Sequence, residues 1–249
     1  MLNEPVVFLH GGVPGVTPYC SGPHIWGRCL ELFAAERKVV ALDLHGLTVD
    51  AQVQEARTAL KEDAVHLVGH DLGGLVALAL AAEAPQRVRS VSAVASVAAA
   101  PTGDGVVNLT LAHPPPPLWS RRSQAWALER VSYSHQHIDG ALLDACERAA
   151  KNNPPVRSEE FQPSLMAAKA RLYETCRERG YPVPAQVVWG TDDPLGSFDQ
   201  GLWLFRLIAQ KQRAAQFHAV NRAGALPFRE EPETFHQIVS AFLEGVSER

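Results

Sequence analysis

Short runs of apolar, often β-branched residues alternate along the chain with longer segments in which apolar residues recur at helical spacing. Continuous apolar runs are typical of strands that are covered on both faces of a parallel sheet. They predict strands at residues 6–9, 39–43, 65–69, 88–97, 186–189 and 215–220. Helical periodicity predicts helices at residues 25–36, 50–61, 72–83, 201–210 and 232–243. The pattern therefore predicts an α/β fold with a mostly parallel sheet.

The alternation stops in the middle of the chain. Residues 114–117 are four consecutive prolines, which favour an extended connection. Helical spacing then returns around residues 119–130, 138–151 and 165–179. We therefore predict a core formed by residues 1–100 and 184–249, with a helical cap at residues 101–183 that is inserted between two strands of one sheet.

The composition narrows the function classes. The chain has 249 residues, of which 46% are hydrophobic and 20% are charged, as in ordinary globular proteins. A net charge of −4 without a Lys/Arg-rich run argues against a nucleic-acid partner. No apolar stretch reaches the roughly 18 residues of a membrane span, and the N-terminus shows no secretory signal pattern. The four cysteines have no CxxC spacing, so we expect reduced thiols in a cytoplasmic protein. The expected partner is a small-molecule substrate. A homo-oligomer is left open.

Three predicted strand ends carry unusual turns. Residues 10–15 read HGGVPG, and their glycines allow backbone N–H groups to face a ligand, as an oxyanion site requires. A glycine-rich turn after a strand is also an ordinary structural feature. Residues 188–194 read VWGTDDP, in which Asp193 is the better placed of two carboxylates to orient a base. An Asp-Pro pair is also a common turn former.

The remaining turn, at residues 68–74, reads VGHDLGG and matches the frame G-x-nucleophile-x-G. In that frame a strained strand-to-helix turn lifts one side chain into a cleft. Gly69 and Gly73 provide the small residues that this close approach needs, and the nucleophile position holds Asp71 in place of serine. The alternative interpretation is an aspartate that caps the helix N-terminus.

With these three turns the chain resembles an α/β-hydrolase. The HGGVPG turn and residues 187–243 are most similar to the C–C bond hydrolases that act on aromatic meta-cleavage products. An aspartate nucleophile is instead typical of epoxide hydrolases and haloalkane dehalogenases, whose turn usually reads GHDWG, and Leu72 replaces that tryptophan here. The resemblance implies a nucleophile at Asp71, an acid at Asp193, and an oxyanion hole formed by Gly11 or Gly12 together with Leu72.

The resemblance also implies a histidine base in a segment of the form AGHxPxxExPE. Here residues 223–233 read AGALPFREEPE, so the base position holds Ala225. An ester formed on Asp71 would then lack the group that activates water to hydrolyse it. Three explanations are compatible with the sequence: an engineered His-to-Ala variant, a natural enzyme that uses Asp71 for a non-hydrolytic acid/base step, or an inactive fold kept for binding.

The leading functional prediction is an enzyme that acts on a small, fairly apolar organic substrate held between sheet and cap, with Asp71 as the reactive group. Hydrolysis is the default reaction of the family. A cyclase, isomerase or lyase reaction and a ligand-binding pseudo-enzyme are the alternatives. The resemblance implies substrate contacts from Trp26, Tyr133 and Tyr173, with His24 at the pocket mouth. No metal or cofactor is predicted, because the histidines lack carboxylate or cysteine partners at metal-ligand spacing.

Overall fold

The computed structural model describes residues 4–61, 64–101 and 109–247. Six parallel strands form one sheet in the spatial order β2-β1-β3-β4-β5-β6. The strands are β1 (Val6–Leu9), β2 (Val39–Leu42), β3 (Val65–His70), β4 (Val88–Val94), β5 (Ala185–Gly190) and β6 (Gln216–Val220). The prediction of an α/β fold with a mostly parallel sheet is confirmed.

Helices cover both faces of the sheet. They are α1 (Arg28–Ala34), α2 (Val49–Ala59), α3 (Leu72–Glu83), α4 (Arg121–Val131), α5 (Gly140–Asn152), α6 (Phe161–Glu174), α7 (Phe198–Ala209), α8 (Pro227–Glu230) and α9 (Pro232–Ser247). Successive residues of β1 face opposite sides, as the period of a strand requires. Val7 packs in the cluster that contains α2, α3 and α7, whereas Phe8 packs in the cluster that contains α1 and α9. Within the described residues, no helix has the length and apolar character needed to cross a bilayer.

Two predicted elements end earlier than the apolar pattern indicates. The helix predicted at residues 25–36 is split, because Gly27 has φ 53° between a short 3₁₀ turn and α1. The strand predicted at residues 88–97 stops at Val94, because Ala95 has φ 42° and turns the chain out of the sheet. A positive φ is incompatible with a continuing strand, and hydrophobicity alone does not reveal it.

Between β4 and β5 the described chain forms three helices, here called the cap helices: α4, α5 and α6. Ser120 caps α4 by accepting a hydrogen bond from the Ser123 N–H, and Asp139 caps α5 by accepting one from the Leu142 N–H. Helix α6 packs against α2 and α3, and α5 packs against α4 and the 3₁₀ turn before α1. The cap helices therefore contact the elements that follow β1, β2 and β3.

Candidate active site

Asp71 sits at a sharp turn between β3 and α3. Its backbone has φ 44° and ψ −109°, a strained conformation for a residue other than glycine. The turn is feasible because its neighbours are glycines: a Cβ on Gly69 would overlap the Gly73 carbonyl oxygen, and a Cβ on Gly73 would overlap the Leu9 carbonyl oxygen. The strand and the helix thus approach each other backbone to backbone, as the GHDLGG sequence predicts.

The Asp71 side chain does not cap the helix that it precedes. Its carboxylate forms no hydrogen bond with the first turn of α3. Instead Oδ1 accepts a hydrogen bond from the Ala98 N–H at 3.2 Å, and the Asp71 carbonyl oxygen accepts one from Ser96 Oγ at 2.6 Å. The half-buried carboxylate is therefore held by the segment that follows β4. The capping alternative raised by the sequence does not account for this geometry.

Gly73→Ala is expected to lower the free energy of unfolding by about 3 kcal/mol or more, because the new methyl group meets backbone that cannot move independently of the sheet. Urea unfolding monitored by circular dichroism measures the change. Gly245→Ala in α9 is the matched control, because a Cβ there meets nothing within 4 Å, and we expect up to about 1 kcal/mol of stabilisation from helix propensity. Equal behaviour of the two variants would contradict the close backbone approach.

The HGGVPG turn lies directly against Asp71. A Cβ built on Gly11 would lie 2.8 Å from the Asp71 Cβ and 2.7 Å from the His70 carbonyl oxygen. His10 braces this turn: its Nε2 accepts a hydrogen bond from the Leu44 N–H at 3.1 Å, which leaves Nδ1 as the donor to the Gly11 carbonyl oxygen at 3.2 Å. Gly12 follows with φ 91°, which only glycine adopts easily.

Leu72 is the first residue of α3, and the first N–H groups of a helix have no acceptor within it. Gly11 and Leu72 thus both lie next to Asp71, and their role as an oxyanion hole stays a prediction. Gly12 lies one residue further along the turn, where an added Cβ would face Ser21 and Thr17.

Asp193 follows β5 and is 8% exposed. Its Oδ1 accepts hydrogen bonds from the Leu195 N–H at 2.8 Å and the Gly196 N–H at 3.2 Å. Its Oδ2 is buried and has no hydrogen-bond partner. Burial, together with the charges of Asp71 and Glu230, raises the pKa of Asp193 to about 7, although the two N–H groups oppose the shift. One oxygen is thus fixed, and the other is free to carry a proton.

Ala225 occupies the position where the family resemblance implies a base. Its N–H donates to the Val131 carbonyl oxygen at 2.8 Å, and its own carbonyl oxygen accepts a hydrogen bond from His70 Nε2 at 2.9 Å. All ten histidines lie in the described ranges, and none of them forms a hydrogen bond or ion pair with Asp71 or Asp193. No described histidine is therefore within hydrogen-bond distance of either carboxylate.

His70 precedes Asp71 but points away from the surface. Its ring lies edge-on between Phe228 and Trp26, with ring centroids 5.0 Å and 6.3 Å away. Burial lowers the pKa of His70, so the ring is neutral. Its hydrogen bond to the Ala225 carbonyl oxygen connects the Asp71 turn to the backbone at residue 225. The sequence motif contains this histidine but does not reveal its structural partner, which is 155 residues away in the chain.

The three residues predicted to contact substrate have different positions in the fold. Trp26 has no exposed surface, and its ring packs against the rings of Phe8 and Phe228 in the core. Tyr133 is 47% exposed, and the Arg222 guanidinium lies over its ring. Tyr173 lies beside the segment that follows β4, whose Ala98 N–H holds the Asp71 carboxylate.

The Tyr173 hydroxyl donates to the Ala99 carbonyl oxygen at 3.4 Å, and burial raises the Tyr173 pKa to about 12. Tyr133 follows the end of α4, whereas Tyr173 lies within α6.

A cavity of about 590 Å³ opens beside the HGGVPG turn, between it, the loop after β2 and the end of α5. Polar residues that line it include His24, Asp43 and Tyr19. Burial raises the Tyr19 pKa, with further contributions from the charges of Asp71 and Asp193, so this phenol lies within electrostatic reach of both carboxylates. Sequence motifs missed Tyr19 because it follows the glycine turn without a signature of its own. In the described part of the chain, no group of three or more His, Cys, Asp or Glu side chains is arranged to hold a metal ion.

Comparisons with known proteins agree with this architecture. The model of the alpha/beta hydrolase family matches residues 6–238. The 2-hydroxy-6-oxononadienedioate/2-hydroxy-6-oxononatrienedioate hydrolase of Paraburkholderia xenovorans (strain LB400) is 29% identical, over 96% of this chain and 86% of that protein. The solved meta-cleavage product hydrolase from Pseudomonas fluorescens IP01 has a TM-score of 0.71 at 20% identity, and the match covers 97% of this chain and 91% of that one. The predicted resemblance to meta-cleavage product hydrolases is confirmed.

Proposed function

Because the chain belongs to the alpha/beta hydrolase family, we propose that it is an enzyme whose reactive group is Asp71. The substrate is a small, largely apolar organic molecule held between the sheet and the cap helices. The reaction is proton transfer without hydrolysis: the Asp71 carboxylate takes a proton from the substrate, and Asp193 returns one at another atom. Isomerisation, cyclisation and elimination all fit this scheme.

One observation carries the proposal: the buried Asp193 Oδ2 has no partner. If a histidine were present, this carboxylate would be ionised and would orient it. With alanine at position 225, the pKa of about 7 leaves Asp193 largely protonated below neutral pH, as a proton donor must be. A buried carboxyl group that keeps its proton can serve as the acid beside a second carboxylate that serves as the base.

The backbone around Asp71 supports the same chemistry. The N–H groups near Gly11 and at Leu72 stabilise negative charge that develops on a substrate oxygen. The start of α3 contributes the positive end of the helix dipole at the same point. These groups stabilise an oxyanion equally well in hydrolysis and in proton transfer, so they do not select between the two reactions.

A second candidate is hydrolysis through an ester on Asp71, and the similarity to the hydrolase of Paraburkholderia xenovorans favours it. In that reaction an Asp71 oxygen bonds to a substrate carbon as the leaving group departs. Water must then add to the ester while a base takes its proton. Ala225 supplies no such base, so this route predicts a stable adduct in the protein as it stands. Binding without chemistry is the remaining alternative.

We expect the unmodified protein to convert a carbonyl substrate without forming an adduct, whereas Ala225→His gains slow ester or epoxide hydrolysis. The introduced imidazole would lie on the turn beside Asp193, which would orient it, and general-base catalysis of this kind contributes about 10²–10⁴-fold. Both proteins are incubated with panels of epoxides, esters and vinylogous diketones. Products are measured by liquid chromatography, and the protein is measured by intact mass spectrometry.

The outcomes separate the three hypotheses. Turnover by the unmodified protein with no mass change supports proton transfer. A stoichiometric mass increase of the unmodified protein, absent from Ala225→His because that variant hydrolyses the adduct, supports the stalled hydrolase and contradicts the proposal. Saturable binding without turnover or adduct in either protein supports a binding module. Ala223→His, two residues earlier on the same turn and equally buried, is the matched control for nonspecific imidazole catalysis.

A further inference from the structure

Lys169 is a buried lysine without a counter-charge. It lies on α6 and is 8% exposed. Among the described residues, no carboxylate lies within ion-pair distance of its amine and no acceptor is hydrogen-bonded to it. Lysines that are largely buried usually have a charged partner, so the charge of Lys169 remains available to a bound anion.

The position of Lys169 relates it to Asp71. Tyr173 lies one turn further along α6, on the same face as Lys169, and its hydroxyl reaches the Ala99 carbonyl oxygen. The adjacent Ala98 N–H holds Asp71 Oδ1. Lys169 therefore projects from the cap helices over the segment that positions the reactive carboxylate.

Electrostatics agree with this placement. Burial lowers the pKa of Lys169, and the Asp71 charge counteracts the shift. The two charges act on each other although no ion pair joins them. A cation and a carboxylate base near each other are suited to a proton abstraction that creates an anion.

We propose that the Lys169 ammonium holds the oxygen of an enolate that forms when Asp71 removes a proton. The substrates are then carbonyl compounds with an acidic C–H group next to the carbonyl. The C–H bond breaks, its proton bonds to an Asp71 oxygen, and its electron pair becomes the C=C bond of the enolate. The C=O electron pair moves to the oxygen, which Lys169 holds. In substrates with a C=C bond next to the C–H carbon, the enolate charge extends along that bond, and Asp193 protonates its far carbon as the C=O bond re-forms. This inference rests on the proposed function.

The test is binding of 4-nitrophenol, which needs no turnover. Its phenolate is a planar, delocalised oxyanion like an enolate, and ionisation is visible in its absorbance. At a pH below its pKa in water, the unmodified protein is expected to bind the phenolate form. Lys169→Met should weaken this binding about tenfold to a hundredfold, the effect of one charge-assisted hydrogen bond. Lys169→Arg, which keeps the charge, should retain part of it.

Controls separate this role from a structural one. Lys61→Met removes an exposed lysine at the end of α2 and should leave phenolate binding unchanged. Lys169→Met should raise the melting temperature, because it removes a desolvated charge while filling the same space. The proposal is overturned if the unmodified protein does not ionise 4-nitrophenol, or if Lys169→Met ionises it equally well. Asp71→Asn should strengthen phenolate binding, because it removes a nearby negative charge. The binding test therefore reports on Lys169 separately from the proposed role of Asp71 in turnover.

Discussion

Asp71→Asn is expected to reduce turnover by about 10²–10⁴-fold, the usual contribution of a general base. The asparagine would keep the size of the side chain and an oxygen acceptor for the Ala98 N–H, so the turn itself should survive. What the variant loses is the ability to accept a proton. The direct measurement is deuterium incorporation into substrate in D₂O, followed by NMR, because this exchange reports proton abstraction even where no net product accumulates.

The Asp71→Asn result has a matched control in Asp192→Asn. Asp192 is exposed, lies next to Asp193 and accepts a hydrogen bond from Thr191 Oγ1. Its replacement should leave both exchange and turnover unchanged. If Asp71→Asn exchanges substrate protons at the rate of the unmodified protein, while its melting temperature is also unchanged, Asp71 is not the base.

Asp193→Asn is expected to lower activity while raising stability at high pH. The Asp193 pKa of about 7 lies above its value in the unfolded chain, about 4. Between these two pH values the folded state holds a proton that the unfolded state has released, so stability falls as pH rises through this window. The difference corresponds to about 2–4 kcal/mol, and the variant should gain this amount over the unmodified protein at pH 8 but not at pH 4.

Urea unfolding at the two pH values measures that difference, with Asp192→Asn as the control for loss of an exposed neighbouring carboxylate. The activity prediction follows from the same protonation. Turnover of the unmodified protein should decline above pH 7, as Asp193 loses its proton, whereas residual turnover of Asp193→Asn should show no such decline. A variant that is less stable at pH 8 than at pH 4, relative to the unmodified protein, would mean that Asp193 is ionised in the folded state and paired with a cation.

The α/β sheet and the Asp71 turn were predictable from local sequence. Apolar runs with a fixed period determine which residues are buried, and the glycines flanking Asp71 are required by backbone contacts within a few residues. The predicted substrate contacts remain predictions. What local sequence did not show is the burial of Trp26, which has no exposed surface because Phe8 and Phe228, from opposite ends of the chain, pack against it.

Lys169 and Tyr19 were not singled out from sequence, and the reason is physical. A lysine in a polar helix normally faces water, and nothing in α6 itself indicates that this one is buried. Its burial arises because α6 packs against α2 and α3, and its relation to Asp71 arises because Tyr173 meets the segment after β4. Tyr19 likewise acquires its electrostatic neighbours only when three strand ends converge at one edge of the sheet.

Residue types at short separation were enough to predict the parallel sheet and the sharp turn at Asp71, and the sequence places alanine at position 225. Only the tertiary structure decided the protonation of Asp193 and the environment of Lys169. Both depend on how far water is excluded from a charge and on which other charges lie nearby, and those distances are set by packing between segments remote in the chain.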